Sequence, residues 1–281
     1  MRGRFIEEKV FKILMRVTTA VIISSLFFIF IAIIRRGLPA MSWDMVSKVP
    51  GGGFYIGKEG GLLNAIAGSI FIVIGSTLLG LLISIPIVFY INLYLPKKSF
   101  LSYFTRLSYD VMFGIPSIVY GAFGFTLMVY LGLKTSLLGV ILTVTMLITP
   151  ILVRSMDEVA QMVPHDLNDA IFSLGATRLE AIKVILRQIS PGITTAILLS
   201  IGRAIGDAAS VLFTSGYTDN IPTSLGQPAA TLPLAIFFQL SSPIEEVQNR
   251  AYAAAFILTM IVLALSLGAR FYSRKLSKHK I

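Results

Sequence analysis

Two opposite charges stand alone in an apolar stretch of the sequence. Residues 200–210 read SIGRAIGDAAS and place Arg203 and Asp207 between uncharged runs over 188–202 and 208–218. In a helix, the spacing from i to i+4 puts both side chains on one face. A guanidinium stays protonated and presents five donors in a planar fork, which matches the oxygens of a phosphate or another oxyanion. The pair could therefore meet an anion that passes through the protein.

A purely structural ion pair is the alternative role for these two residues. A lone arginine at the centre of a bilayer costs about 3 kcal/mol on insertion scales, and a neighbouring carboxylate offsets part of that cost. Omitting both charges would avoid the cost altogether, and ionisable residues inside spans usually face a cavity or pathway. Gly202 and Gly206 add a small-residue spacing that predicts close contact with another helix. We therefore favour a substrate pathway that contains Arg203 and Asp207.

The rest of the chain supplies the membrane spans that such a pathway needs. Of the 281 residues, 55% are hydrophobic and 14% are charged, whereas a soluble domain carries roughly 25% charged residues. Because about 20 apolar residues in a helix cross a bilayer core, the uncharged runs predict an all-α membrane protein with six spans. The predicted spans lie near residues 15–35, 66–94, 108–131, 136–156, 190–214 and 251–271.

Two details of these spans affect their interpretation. The first uncharged run, over 17–34, is longer than the roughly 7–15 apolar residues of a signal-peptide core, which favours a retained span over a cleaved signal. In the third span, Pro116 predicts a kink, because proline cannot donate the helical hydrogen bond. Gly121 in the same span predicts close packing against a neighbouring helix.

Positive charge is distributed unevenly between the segments that connect the spans. Seventeen Lys and Arg residues lie in the tails over 1–14 and 272–281, at the edges of the first and last spans, and in the segments that follow spans two and four; six lie on the other side. This distribution follows the positive-inside rule and predicts that both termini are cytoplasmic. The net charge of +10 is thereby explained by topology, and it does not indicate a nucleic-acid surface.

The cytoplasmic segment 157–189 contains a recognisable helical hairpin. Asp166, with Asp169 three residues later, predicts a capped helix start, and Gly175 suits the left-handed residue that ends a helix. Thr177 and Glu180 predict a second capping box, and the helix that follows runs into span five. The expected apolar face of the short helix consists of Leu167, Ala170, Ile171 and Leu174. The expected stripe on the next helix consists of Leu179, Ile182, Leu186 and Ile189.

The sequence of this hairpin is compatible with three roles. It could be a surface helix pair packed only on its own chain. It could be a helix-turn-helix for DNA, which the membrane spans tethered to both of its ends disfavour. It could also dock a cytoplasmic partner, because an exposed short helix with an apolar face fits a groove on another protein.

Several stretches of the sequence resemble a known family. DAIFSLGATRLEAIKVIL, with Asp169-Ala170-Ile171 followed by Gly175, resembles the cytoplasmic EAA loop of ABC importer permeases. PSIVYG (116–121), GRAIGDAASVLFT (202–214) and QPAATLPLAIF (227–237) are similar to the phosphate importer permeases. The last of these stretches and SSPIEEVQNRAYAAAFIL (241–258) resemble the A-type permease subunit more than its C-type partner.

The resemblance implies a fold, a function and a set of partners. It implies the type I ABC importer architecture in a prokaryotic inner membrane, with half of a phosphate path formed by this chain and half by a homologous C-type permease. It implies two cytoplasmic ATPase subunits, which bind ATP and Mg²⁺, and an external phosphate-binding protein. The residues it assigns to ATPase coupling are Leu167, Asp169, Ala170, Ile171, Leu174 and Gly175. It also assigns Arg203 to transport.

Catalytic and metal-binding patterns are missing from the sequence. It has no Walker A motif and no G-x-S-x-G elbow, and it has no cysteine. His165 and His279 have no metal-ligand spacing. We therefore expect no catalytic residue, metal or cofactor on this chain, and ATP hydrolysis on another subunit. Two alternatives remain: an ABC permease for another oxyanion, and a transporter or channel that works without ATP.

Cysteines introduced into this cysteine-free chain test the predicted topology. Those at Ile6, Lys98 and Leu276 should react with an impermeant maleimide only from the cytoplasm, and those at Lys48 and Gly226 only from outside. Labelling of intact cells and of inverted vesicles gives the two accessibilities. External labelling at position 98 would contradict the six-span arrangement.

Overall fold

The computed structural model describes residues 2–51, 60–96 and 99–277, which form a helical bundle. Position 98 and the last four residues of the predicted C-terminal tail lie outside the described residues. The elements are α1 (Arg2–Ala40), α2 (Trp43–Ser47), α3 (Leu63–Phe89), a π turn (Tyr90–Tyr94), α4 (Phe100–Gly114), α5 (Ser117–Tyr130), α6 (Leu137–Gln161), α7 (His165–Ser173), α8 (Arg178–Gly206), α9 (Leu232–Leu240) and α10 (Glu245–Ser277).

Five helices among the described residues are long and apolar enough to cross a membrane. They are the segments Glu7–Ala40, Leu63–Tyr94, Leu137–Gln161, Arg178–Gly206 and Glu245–Gly268. The pair α4 and α5 brings the number to six if it is counted as one broken span. The chain is therefore a multi-pass membrane protein, and the predicted positions of five spans agree with helices, although most of these helices extend beyond the predicted bounds.

The third predicted span bends at Pro116, as predicted, but the bend is a full break between two helices and the first of them begins earlier than residue 108. α4 and α5 meet at an angle of 101°, with Ile115 in an extended conformation and Pro116 as the N-cap of α5. The residue before a proline avoids the helical region, and proline has no N–H to continue the ladder. The hydroxyl of Tyr120 donates to the carbonyl oxygen of Met112 at 2.7 Å, which joins the two helices across the bend.

The fifth predicted span ends earlier than expected. α8 stops at Gly206, and Asp207 is its C-cap with φ −86° and ψ 115°, so the helix predicted to run to residue 214 is wrong beyond that point. At its other end, α8 begins at Arg178 and continues through Pro191. The second helix of the hairpin and the fifth span are therefore one helix.

The centre of the bundle is α6. Within the described residues, 67% of its most apolar window is buried, whereas none of the corresponding window of α1 is. Its inner face includes Val140, Val144, Ile148 and Leu152, which pack with residues of α3 and α8. Because lipid is as apolar as these side chains, close packing rather than exclusion from water holds such helices together.

Gly121 lies where a helix meets bare backbone. A Cβ built at this position would be 2.8 Å from the carbonyl oxygens of both Ala209 and Ser210. A side chain of any size would therefore push α5 away from the turn that follows α8. This close approach confirms the packing role predicted for Gly121, and it fixes the broken third span against the end of α8.

Replacement of Gly121 by alanine should therefore destabilise the protein, although alanine favours helices. Overpacking of this kind costs about 1–3 kcal/mol, and the expected result is a lower midpoint of thermal aggregation for the purified protein in detergent. Gly114→Ala is the matched control, because a Cβ at Gly114 meets no atom of the described residues within 4 Å. Equal midpoints for the two variants would contradict the proposed contact.

Candidate functional site

Arg203 and Asp207 form a loose pair at the end of α8. The Nη2 atom of Arg203 lies 3.7 Å from Oδ1 of Asp207, which is longer than a hydrogen bond. The side chain of Arg203 is 50% exposed, whereas that of Asp207 is 6% exposed. In the last turn of α8, the guanidinium also faces the negative end of the helix dipole, which favours a cation there.

The carboxylate of Asp207 stabilises the turn that follows the helix. Its Oδ2 atom accepts a hydrogen bond from the backbone N–H of Ser210 at 2.8 Å. The spacing predicted that both side chains share one face of a continuous helix. They do lie near each other, but Asp207 caps the end of α8 instead of continuing it. Asp207 belongs to the turn, and it leaves most of the donors of Arg203 available for another group.

Arg203 lines a cavity of about 650 Å³ between α4, α6 and α8. This volume is far larger than the roughly 30 Å³ that one water molecule occupies in the liquid, so a small hydrated anion would fit. The lining residues are Met112, Phe113, Ile115, Leu147, Ile151, Arg154, Ser155, Glu158, Leu199 and Arg203. Apolar side chains form most of this wall, and the few charges converge on it from α6 and α8.

Arg154 is a second cation on the same cavity, and the sequence reasoning missed it. Its Nη1 atom lies 3.3 Å from Oδ1 of Asp110, and its Nε atom lies 3.2 Å from Oε1 of Glu158. Its guanidinium carbon also lies 5.2 Å from the centre of the Phe113 ring. From the sequence alone, Arg154 is only one of the 17 basic residues that indicate the topology. The nearby Glu158, four residues later, was the available signal that this helix end holds a charged face.

The small residues near Arg203 do not pack as expected. A Cβ at Gly202 or Gly206 would meet no atom of the described residues within 4 Å. Gly202, Arg203 and Gly206 are all exposed, together with Leu199 one turn earlier. The predicted close packing is therefore wrong for contacts within the described chain, because no other described helix covers α8 at these two glycines. Contact with a second subunit stays a prediction.

Gly175 takes the backbone conformation predicted for it. Its φ is +76°, and its N–H donates to the carbonyl of Phe172 while the N–H of Ala176 donates to that of Ile171. These two bonds make a Schellman motif, which favours glycine because the left-handed conformation disfavours a Cβ. Thr177 and Glu180 form the predicted capping box at the start of α8. The helical hairpin is confirmed.

The beginning of the hairpin differs from the prediction. α7 starts at His165 with Pro164 as the N-cap and without a side-chain capping bond. Asp166 therefore lies within the first turn, where a carboxylate still favours the positive end of the helix dipole. The predicted capping box of Asp166 and Asp169 is wrong, because the helix begins at His165, so Asp166 is already inside it and is not the N-cap.

The apolar face predicted for the short helix is divided between two environments. Ile171 is buried and Leu167 is partly buried against α8 and the end of α3, whereas Asp169 and Ala170 are exposed and Leu174 is 88% exposed. On α8 the buried stripe is Ala181, Ile185 and Ile189, so the predicted stripe is wrong at Leu179 and Leu186, which are exposed. The exposed large apolar side chains of the hairpin are Met162, Phe172, Leu174, Leu179, Val184 and Leu186.

The described chain is a bundle of membrane-spanning helices with a charged cavity and a capped hairpin at one end. Inward-facing structures of the MetNI methionine ABC transporter have the same fold. One has a TM-score of 0.61 at 18% identity, and the match covers 76% of this chain and 95% of that one. A second crystal form has a TM-score of 0.60. The fold is that of a type I ABC importer permease.

The sequence then gives the family. Residues 84–278 match the family described as the binding-protein-dependent transport system inner membrane component, and the chain belongs to that family. It is 34% identical over 252 residues to the phosphate transport system permease protein PstA of Pasteurella multocida, which covers 89% of this chain and 88% of that protein. The corresponding protein of Yersinia pestis is 34% identical over 90% of this chain and 85% of its own length. The probable PstA of Methanocaldococcus jannaschii is 30% identical over 95% and 94%.

Proposed function

We propose that this chain is the membrane permease subunit of an ATP-driven importer for inorganic phosphate. The observation that carries the proposal is the half-exposed guanidinium of Arg203, which lines a cavity and is held beyond hydrogen-bond distance from its nearest carboxylate. The names of the relatives support phosphate as the substrate, and Arg203 is the group we assign to it.

The arrangement suits brief binding rather than storage of an anion. Arg203 can offer its planar donors to two phosphate oxygens at once. Asp207 stays close enough to lower the local positive potential, and its own hydrogen bond to Ser210 keeps it in place. Since conduction needs a site that releases its ion as readily as it takes it, a tempered cation serves better than an isolated one.

The open side of the cavity is where we place the partner permease. Gly202, Arg203 and Gly206 are exposed near the end of α8, so a homologous C-type subunit can close the path there. An external phosphate-binding protein would deliver the anion. We infer cytoplasmic termini in a prokaryotic cell from the distribution of basic residues, and we expect membrane lipid around the remaining faces.

We assign the hairpin to docking of a cytoplasmic ABC ATPase, of which a complete importer holds two copies. Asp169, Ala170 and Leu174 are available to a groove on the ATPase, whereas Leu167 and Ile171 attach the helix to its own chain. ATP and Mg²⁺ belong to that ATPase, and this chain carries out no catalysis. Copurification with an ATPase separates this function from a transporter or channel that works without ATP.

The role of Arg203 is tested by uptake of radiolabelled phosphate. Arg203→Gln keeps donors and approximate size but loses the charge, so uptake should fall about 10- to 100-fold, since hydrogen bonds to charged groups contribute roughly 1.5–3 kcal/mol. Arg203→Lys should recover only part of this loss, because an ammonium lacks the planar fork. Asp207→Asn keeps an acceptor for the N–H of Ser210. It should reduce uptake less than Arg203→Gln does, because it only slows the release of phosphate from Arg203.

The double variant Arg203→Gln/Asp207→Asn distinguishes a pathway from a structural ion pair. A purely structural pair predicts that this neutral combination assembles and transports like the wild type. The pathway role predicts that it assembles and fails to transport. Competition by unlabelled sulfate or molybdate in the wild type tests the alternative that another oxyanion is the substrate.

Gly175→Val tests the docking role of the hairpin. Valine at a positive φ costs about 1–2 kcal/mol, and it should reorient α7, so that less ATPase copurifies and uptake falls. Gly132→Val is the matched control, because Gly132 also has a positive φ, of +68°, and its Cβ also meets no described atom within 4 Å. Similar losses in both variants would show that backbone strain, and not docking, causes the effect.

A further inference from the structure

A buried carboxylate connects three elements near the hairpin end of the bundle. Asp157, in α6, is only 1% exposed. It accepts five hydrogen bonds: from Asn92 Nδ2 at 2.7 Å, from Arg106 Nε at 2.8 Å and Nη2 at 3.1 Å, from the Tyr109 hydroxyl at 2.5 Å, and from Gln161 Nε2 at 2.7 Å. We call these five residues the Asp157 hub. They come from the π turn, α4 and α6.

The hub is closed to further ligands. Arg106 also donates to Ser102 at 2.9 Å and to the side-chain oxygen of Asn92 at 3.3 Å. With five donors around one carboxylate, no lone pair is left for a metal or a transported cation. A buried ion pair of this kind is often no more stable than well-packed apolar residues would be, so its value lies in fixing the relative positions of the elements that it joins.

Each of these elements leads on to a part of the proposed machinery. α6 carries Arg154 and Glu158, and α4 carries Met112 and Phe113, all on the cavity wall. The π turn touches the hairpin. Its Leu93, and Phe89 just before it, pack with Ile171 and Ile185, and the ring of Tyr94 lies 4.9 Å from the guanidinium carbon of Arg178.

We propose that the Asp157 hub is the positioning element that joins the hairpin to the cavity wall of α4 and α6 as one rigid body. A displacement of the hairpin then moves Arg154 and Phe113 together, instead of being absorbed at the π turn. The proposal rests on the proposed function in two respects: that an ATPase displaces the hairpin, and that phosphate passes the cavity. The rigidity itself is independent of the substrate.

Spin labels in the cysteine-free chain test the rigidity. Tyr103→Cys on α4 and Lys183→Cys on the hairpin side of α8 give one distance within the assembled complex, measured by pulsed electron resonance without nucleotide and with trapped ATP. The wild-type background should give one narrow distribution with the same mean in both states. Asp157→Asn keeps the shape but loses the charge that holds Arg106, and it should broaden the distribution.

Transport supplies the second measurement. In reconstituted complexes, Asp157→Asn should leave ATPase binding and basal ATP hydrolysis unchanged, while phosphate imported per ATP hydrolysed falls about tenfold, within the range by which single residues change coupling. A merely structural role would instead lower the amount of complex and leave this ratio unchanged. Glu8→Gln is the control, because it also removes a carboxylate from an ion pair, with Lys12, but on the exposed part of α1.

Tyr109→Phe keeps the ion pair between Asp157 and Arg106 and removes one hydrogen bond. It should therefore broaden the distance distribution and lower the phosphate imported per ATP, but less than Asp157→Asn does. If Asp157→Asn fails to assemble, Tyr109→Phe provides the test. A wild-type distance that shifts between nucleotide states overturns the proposal. The proposal is also overturned if Asp157→Asn and Tyr109→Phe both keep a narrow distance distribution and the wild-type amount of phosphate imported per ATP. If the distances behave as expected but the wild-type complex imports no phosphate, the hub stands and the proposed function fails.

Discussion

Inside a bilayer, every backbone polar group must find its partner within the protein, and this constraint accounts for how the site is built. The described chain leaves regular α-helix at the bend between α4 and α5, after α8 and at the π turn, and at each of these places a side chain bonds a backbone group. Tyr120 donates to the carbonyl of Met112 at the bend. Asp207 accepts from the N–H of Ser210 after α8. Asn92 donates to the carbonyl of Val88 at the π turn.

The three arginines Arg106, Arg154 and Arg203 differ in how many partners they have. Arg106 is fully engaged by Asp157, Asn92 and Ser102. Arg154 divides its donors between two half-exposed carboxylates. Arg203 has one distant carboxylate that is itself engaged elsewhere. The order from Arg106 to Arg203 runs from a fixed structural group to one that is able to exchange partners, which is the property that a transport site requires.

Features carried by local sequence could be predicted, and features that depend on distant contacts could not. Apolar runs gave the spans, and Gly175 with Thr177 and Glu180 gave the turn and the cap of α8, because these signals lie within a few residues. The 101° bend looked like an ordinary proline kink, because the bond from Tyr120 that stabilises it depends on the folded geometry. The stretch after Gly206 contains good helix formers, and only the side chain of Asp207, bound to Ser210, explains why the helix ends.

The candidate site shows the same division. Arg203 could be found from its position in an apolar run, whereas Asp157 and Arg106 looked like ordinary charges near span ends. They are 51 residues apart in the chain, and nothing in either neighbourhood points to the other. The hairpin was predicted as a unit, but which of its apolar residues face inward depends on the end of α3. Sequence periodicity gives a face, and only packing decides whether that face is covered.

The continuity of α8 gives the hairpin a second connection to the cavity. The helix has 29 residues, which corresponds to about 43 Å at 1.5 Å per residue, and it carries Ile185 in the hairpin and Arg203 at its far end. Pro191 removes the N–H that would bond the carbonyl of Arg187, but the hydroxyl of Ser190 donates to that carbonyl at 2.9 Å. The helix thus passes the proline without losing that partner. A movement of the hairpin can therefore reach the cavity along two routes: through α8 to the wall that bears Arg203, and through the Asp157 hub to the opposite wall.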